Sequence, residues 1–213
     1  MPINVLRRHG LKAPSTPYSS CRSSIQHLHH FETTNYSDFF NLDYIVEANA
    51  FSGNAIYNIR KQSERYFKQG AHKYYEMTHH DIRKTEDSEL LRRRVIRMIK
   101  ARASKDHHIL FYHHRSTNGF ELSRGEIKKC LGDILGLYNN ASAICISQKI
   151  IPNARERGIE ATICGKAKIT FSTLKTLQQW SGYDLDLFFG KCDDDLLKKA
   201  LEVHAKHFCS IIY

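Results

Sequence analysis

One segment, Asp106–Lys149, constrains the fold of this chain more than any other. It reads HHILFYHHRS, then ELSRGEIKKCLGDILGLYNN, then ASAICISQK. Ile109 to Tyr112 is apolar at successive positions, which suits a strand buried on both faces of a sheet. His113, His114 and Arg115 close it. Ser123 and Glu126 have the spacing of a capping box, and Ile127, Leu131, Ile134, Leu135 and Tyr138 recur at helical spacing behind it. Asn139-Asn140 ends that helix, and Ala143 to Ile146 reads as a second buried strand. Strand, helix, strand with short connections implies a right-handed parallel crossover. Ligands of open α/β sheets sit beyond the carboxyl ends of the strands, where His113, His114 and Arg115 fall.

The expected fold class is therefore α/β, in three layers, with a mostly parallel sheet and helices on both faces. With 213 residues the chain is expected to form a single domain, residues 1–53 being an irregular strap packed on it. Residues 1–12 suit a short helix, and Pro14, Pro17 and several serines make residues 12–24 a loop. Aromatic residues from Phe31 to Phe51 suggest short helical turns. Ile56, Ile59, Tyr66 and Phe67 suggest a helix over 54–69, stopped by Gly70, and residues 72–84 read as a loop with extended character. Glu86, Asp87 and Glu89 open a helix to about Ala103, with Leu91, Val95, Met98 and Ile99 inward. Thr162–Cys164 and Ile169–Phe171 suit short strands. Ser172 could cap a helix carrying Leu174, Leu177 and Trp180, and Asp193–Asp195 start a last helix.

Lys and Arg total 32 against 22 Asp and Glu, a formal charge of +10. That excess favours anionic partners or serves solubility. Arg92, Arg93, Arg94 and Arg97 lie either on a solvated helix face or on an anion-binding one. With Tyr74, Tyr75 and Tyr112 nearby, nucleic acid is a possible partner, although no recognition module occurs. None of the six cysteines forms a C-x-x-C pair, which argues against a structural zinc site and for a reducing, cytoplasmic setting. No segment has the apolar length of a membrane span, and no secretory signal is visible. Without a phosphate-binding loop, a G-x-G-x-x-G or a G-x-S-x-G, no cofactor is expected.

Histidine occurs 13 times, with adjacent pairs at 29–30, 79–80, 107–108 and 113–114. His113 or His114, His79 or His80, and Asp81 could meet as a His–carboxylate acid/base unit or a metal site, or each could be satisfied by structural hydrogen bonds. The spacings favour no metal. Arg115 could clamp an anionic group or pair with Asp81 or Glu121. Cys21, in a polar loop beside Arg22, is the cysteine best placed to be a nucleophile, or is a plain loop residue.

These residues also carry a resemblance. LRRHGLKAPSTPYSSCRSS (6–24), NYSDFF (35–40), YYEMTHHDI (74–82) and RRRVIRMIKARASKDHHILFYHHRS (92–116) resemble successive motifs of a bacterial family of papain-like cysteine peptidases, over residues 5–150. The resemblance implies a Cys/His-type hydrolase or acyl-transfer scaffold. His80 and Asp81 match the family's histidine–aspartate pair, so His80 is expected as the base and Asp81 as its partner, with His114 and Arg115 at the strand end stabilising an anionic group; Arg92 and Arg93 of the basic helix are candidates for anion binding. The implied substrate is an anionic or acylated small molecule, or a glycan or its precursor. Two departures stand out. The P-F-D-W motif of the family is here Pro17-Tyr18-Ser19-Ser20, without its aspartate and tryptophan. The family's presumed nucleophile, a cysteine in a Gly-Asn-Cys-type motif ahead of the leucine-basic segment, precedes Met1, so the chain is expected to be N-terminally truncated or inactive. The alternative is a non-catalytic binder of nucleic acid or acidic glycan through the basic helix.

Overall fold

A computed structural model describes residues 15–19, 21–50, 53–59, 75–77, 79–106, 108–114, 122–178 and 193–208. The expected helix over 1–12 and Arg115 lie outside them. The chain divides into two compact units, Pro14–Lys105 with Phe120–Asn139, and Met1–Ala13 with Asp106–Gly119 and Asn140–Tyr213.

The first unit holds an antiparallel sheet of β1 (Cys21–Arg22), β2 (Ile45–Ala50), β3 (Gly53–Asn58) and β4 (Tyr75–Met77), in the order β1-β4-β3-β2. Its helices are α1 (Ile25–Thr33), α2 (Thr85–Ala101) and α3 (Arg124–Leu135). Residues 54–58 are therefore strand, where the sequence suggested a helix; 60–69 lie outside the described residues. The register Ala50↔Gly53 leaves only two residues between β2 and β3. A connection that short closes an antiparallel hairpin, and pairing along six residues outweighs a helical period of two isoleucines. An aromatic core holds α1 to β4: Phe31, Phe39 and Tyr75 meet edge to face with ring centroids 5.0 to 5.4 Å apart. Helix α2 buries Leu91, Val95 and Met98 as its period predicts, but Ile99 is 38% exposed and joins Ile96 on the outer face. Helix α3 carries the expected capping box, with Ser123 accepting from the Glu126 N–H and Glu126 from the Ser123 N–H.

The second unit holds β5 (Ile109–His114), β6 (Ala141–Ile150), β7 (Gly158–Cys164), β8 (Ile169–Thr176) and helix α4 (Asp194–Phe208). The strand order is β5-β6-β8-β7. The predicted pairing of β5 with β6 is parallel, from Ile109↔Ala141 to His114↔Ile146, and β6 also pairs parallel with β8. β7 pairs antiparallel with β8 because only Gly165–Lys168 joins them, too short for a crossover; Lys168 makes the turn at φ 53°. The protein is thus α/β, with one mixed and one antiparallel sheet rather than a single mostly parallel one. The helix expected to start at Ser172 is instead the middle of β8, where Leu174 packs with Ile144 and Ile146 against Leu196, Leu197, Ala200 and Leu201 of α4. Burial on that face, available only once β6 and α4 are in place, overrides the capping signal. Arg157 fastens the start of α4 through Asp193 at 2.8 Å and Asp195 at 2.5 Å.

Candidate functional site

His80 is held at both ring nitrogens by side chains of α2. It lies in the loop between β4 and α2, with its side chain 14% exposed. Asp87 is the third residue of α2, a position from which a carboxylate reaches back over the preceding loop. Its Oδ1 lies 2.9 Å from His80 Nδ1, and its Oδ2 accepts the Asp81 N–H at 2.9 Å. That N–H holds the Asp87 carboxyl below the usual carboxylate range, aided by His80. Two turns further along α2, Arg94 Nη1 lies 3.1 Å from His80 Nε2. A guanidinium can only donate, so Nε2 accepts, and the ring proton sits on Nδ1 and is given to Asp87.

Asp81 does not meet the ring. Its carboxylate grips Arg83 through Nε and Nη2, both at 2.9 Å, and this places the Asp81 carboxyl below the usual range. Arg83 also reaches Glu47 at 2.7 Å. The orienting acid is Asp87, which the sequence had marked only as a helix-dipole residue; the signal for it was an acid at the third helical position after a histidine-bearing loop. Arg94, read only as part of a basic run, was likewise missed. Its Nε is buried without a hydrogen-bond partner, and burial followed by neighbouring Arg97 lowers its pKa.

Cys21 is joined to this cluster indirectly. It pairs with Met77 across β1 and β4, the strand that leads into the His80 loop, and Tyr75 of β4 donates to the Pro17 carbonyl at 2.8 Å. The residue is half-buried, yet its sulfur is enclosed and donates to the Tyr18 carbonyl at 3.1 Å. Burial pushes the thiol up to about 11, so Cys21 rests protonated rather than as the exposed loop thiol the sequence suggested. Cys145 is pushed up to about 12 and Cys130 is raised, both by burial.

The other predicted site residues are distributed. His114 ends β5 in the second unit, and Arg115 lies outside the described residues. Arg92 and Arg93 are exposed on α2, Arg92 with its guanidinium 4.3 Å from the centre of the Phe40 ring. In the pair at 29–30 the rings take separate partners: His29 Nε2 meets Asp133 at 2.8 Å, and His30 Nε2 meets Asp38 at 3.1 Å. In the second unit a directed chain runs from Thr170 through His204, Ser142 and His108 to Asn140, every link between 2.7 and 2.9 Å. Among the described residues no three of His, Cys, Asp and Glu gather as metal ligands would, and no helix is long and apolar enough to cross a membrane.

The His80–Asp87 pair, an imidazole oriented by a carboxylate, is the kind of unit that activates a thiol or a water. No curated protein and no solved structure is significantly similar to the chain. A family model described as "Putative papain-like cysteine peptidase (DUF1796)" matches residues 1–126, more than half of its length. The chain belongs to this family of papain-like cysteine peptidases.

Proposed function

We propose that the protein is a Cys/His-type hydrolase, or an acyltransferase using the same covalent chemistry, with His80 as base and Asp87 as its orienting carboxylate. The 2.9 Å contact from His80 Nδ1 to Asp87 carries this reading. It leaves the lone pair on Nε2, the nitrogen to which a thiol hands its proton. Family membership supports the same chemistry. At rest Arg94 covers Nε2. In the proposed cycle the guanidinium moves to the acyl oxygen as negative charge develops there.

Of the described cysteines, Cys21 lies on the strand paired with β4, which leads into the His80 loop, and we assign it the attack. Its proton passes to His80 Nε2, the sulfur–carbon bond forms, and the bond to the leaving group breaks as His80 returns the proton to that group. Water then releases the acyl group in a hydrolase, and a second hydroxyl or amine accepts it in a transferase. The net positive charge suits an acylated substrate bearing negative charge, such as an acidic glycan or its precursor.

Turnover of p-nitrophenyl acetate tests the assignment. His80→Ala should lower kcat by about 100-fold or more, and Cys21→Ala should abolish the acyl-enzyme burst. Asp87→Ala should cost about tenfold, whereas Asp81→Ala should leave turnover nearly intact. Full turnover in a folded His80→Ala variant sinks the proposal, and a persistent burst in Cys21→Ala removes Cys21 from it.

A further inference from the structure

The outer face of α2 combines two features that a merely solvated helix does not need. Arg92, Arg93, Arg97 and Lys100 are all exposed, and from Arg92 to Lys100 the helix carries no acidic residue. Arg97 spends one nitrogen on the Ser15 carbonyl, Arg92 lies over Phe40, and Arg93 makes a long 3.9 Å contact with Glu89. Lys100 pairs with no carboxylate among the described residues. Among these cations stand Ile96 and Ile99, 50% and 38% exposed. At 100° per residue Ile96 falls between Arg92 and Lys100, so the aliphatic surface lies inside the basic stripe. Beside it, Phe40, Leu42, Ile82 and Arg92 contribute to an open cleft of about 330 Å³, and Leu42 is 58% exposed.

We propose that this face of α2 is the surface by which the protein lies against an anionic lipid bilayer. Headgroup phosphates match the exposed guanidinium and ammonium groups, and the acyl boundary takes up Ile96, Ile99 and Leu42, which otherwise face water. The branched aliphatics decide against nucleic acid, whose backbone is met by cations and hydrogen-bonding groups and whose bases stack on aromatic rings. The contact is peripheral: α2 lies along the surface and does not enter as a span. It is independent of the hydrolase chemistry proposed for His80.

Sedimentation with phosphatidylcholine vesicles, with and without phosphatidylglycerol, tests the proposal, with a mixed-sequence DNA duplex as a competing anion. The full chain should pellet with the anionic vesicles, weakly with neutral ones, and less as salt rises. Arg93→Glu with Lys100→Glu should weaken vesicle binding by about tenfold or more. Ile96→Ser with Ile99→Ser, which leaves every charge in place, should weaken it several-fold while leaving any DNA binding unchanged. Circular dichroism confirms that each variant keeps its helices. The proposal is overturned if anionic vesicles do not retain the protein, if the serine pair binds them like wild type, or if DNA displaces the protein from them at equal phosphate concentration.

Discussion

A carboxylate without exposed surface, Glu32, accepts from Tyr36 at 2.5 Å, Tyr138 at 2.9 Å and Tyr18 at 3.1 Å, and pairs with Arg102 at 2.9 Å. Tyr36 reaches it from a left-handed backbone, φ 60°, a conformation held by its own N–H on the Phe31 carbonyl at 2.8 Å. All three phenols have raised pKa values, chiefly from burial, so their hydroxyls remain donors. Glu32→Ala would leave the Arg102 charge without its carboxylate and take from Tyr36 and Tyr138 the acceptor they share; urea unfolding should show a loss of about 3 kcal/mol or more. Ser172 is the opposite case. It is buried in β8 with its hydroxyl unpartnered, so it bears a desolvation cost without return. Ser172→Ala should raise stability by about 1 kcal/mol, and a drop in the urea midpoint would refute that account.

The helices follow local rules more closely than the strands do. Helix α3 begins where Ser123 and Glu126 predict, and Ile127, Leu131, Ile134 and Leu135 fill its buried face. Its cap is solvent-facing, so Ser123→Ala should cost about 1 kcal/mol in thermal unfolding without altering the core. Helix α2 matches its expected span, with acids in the first turn and Lys100 in the last. Only Ile99 departs, because periodicity assigns a face but cannot say how wide the covering surface is. Strands β3 and β8 were harder to read. Ile56 and Ile59 fit a helical period, and Ser172 fits a cap, until long-range pairing partners exist to compete. Gly53, at the start of β3, was the available breaker signal for the short β2–β3 connection.

For the molecule as a whole, the buried His204 sets a response to acid. Burial first, then the nearby His108 and His207, lower its pKa to about 4, and Ser142 and Thr170 satisfy both nitrogens of the neutral ring. A depressed folded pKa means that the unfolded chain takes up the proton more readily. The stabilising contribution is therefore present above pH 6.5, the ordinary histidine value, and is lost as pH falls through about 4. The shift is worth up to ~3 kcal/mol. Urea midpoints measured between pH 7 and 4 should fall, and His204→Gln should flatten that dependence; equal slopes in the two proteins would reject His204 as its source.

By itself the sequence determined those elements whose signals are local: the capped helix α3, the dipole-ordered α2, the acid-led α4 and the apolar β5 and β6 with the connection that makes them parallel. Periodicity and capping act within a few residues, so they can be read before anything else has folded. It also carried enough of the Tyr74–Ile82 and Arg92–Ser116 motifs to indicate the family. Only the tertiary structure decided that Asp87, not Asp81, meets His80, that Arg83 takes the Asp81 carboxylate, and that the Cys21 sulfur is enclosed. Those outcomes depend on which donor wins a shared acceptor across a turn or a sheet. That competition is settled by distances of a few tenths of an ångström, which no spacing in the sequence encodes.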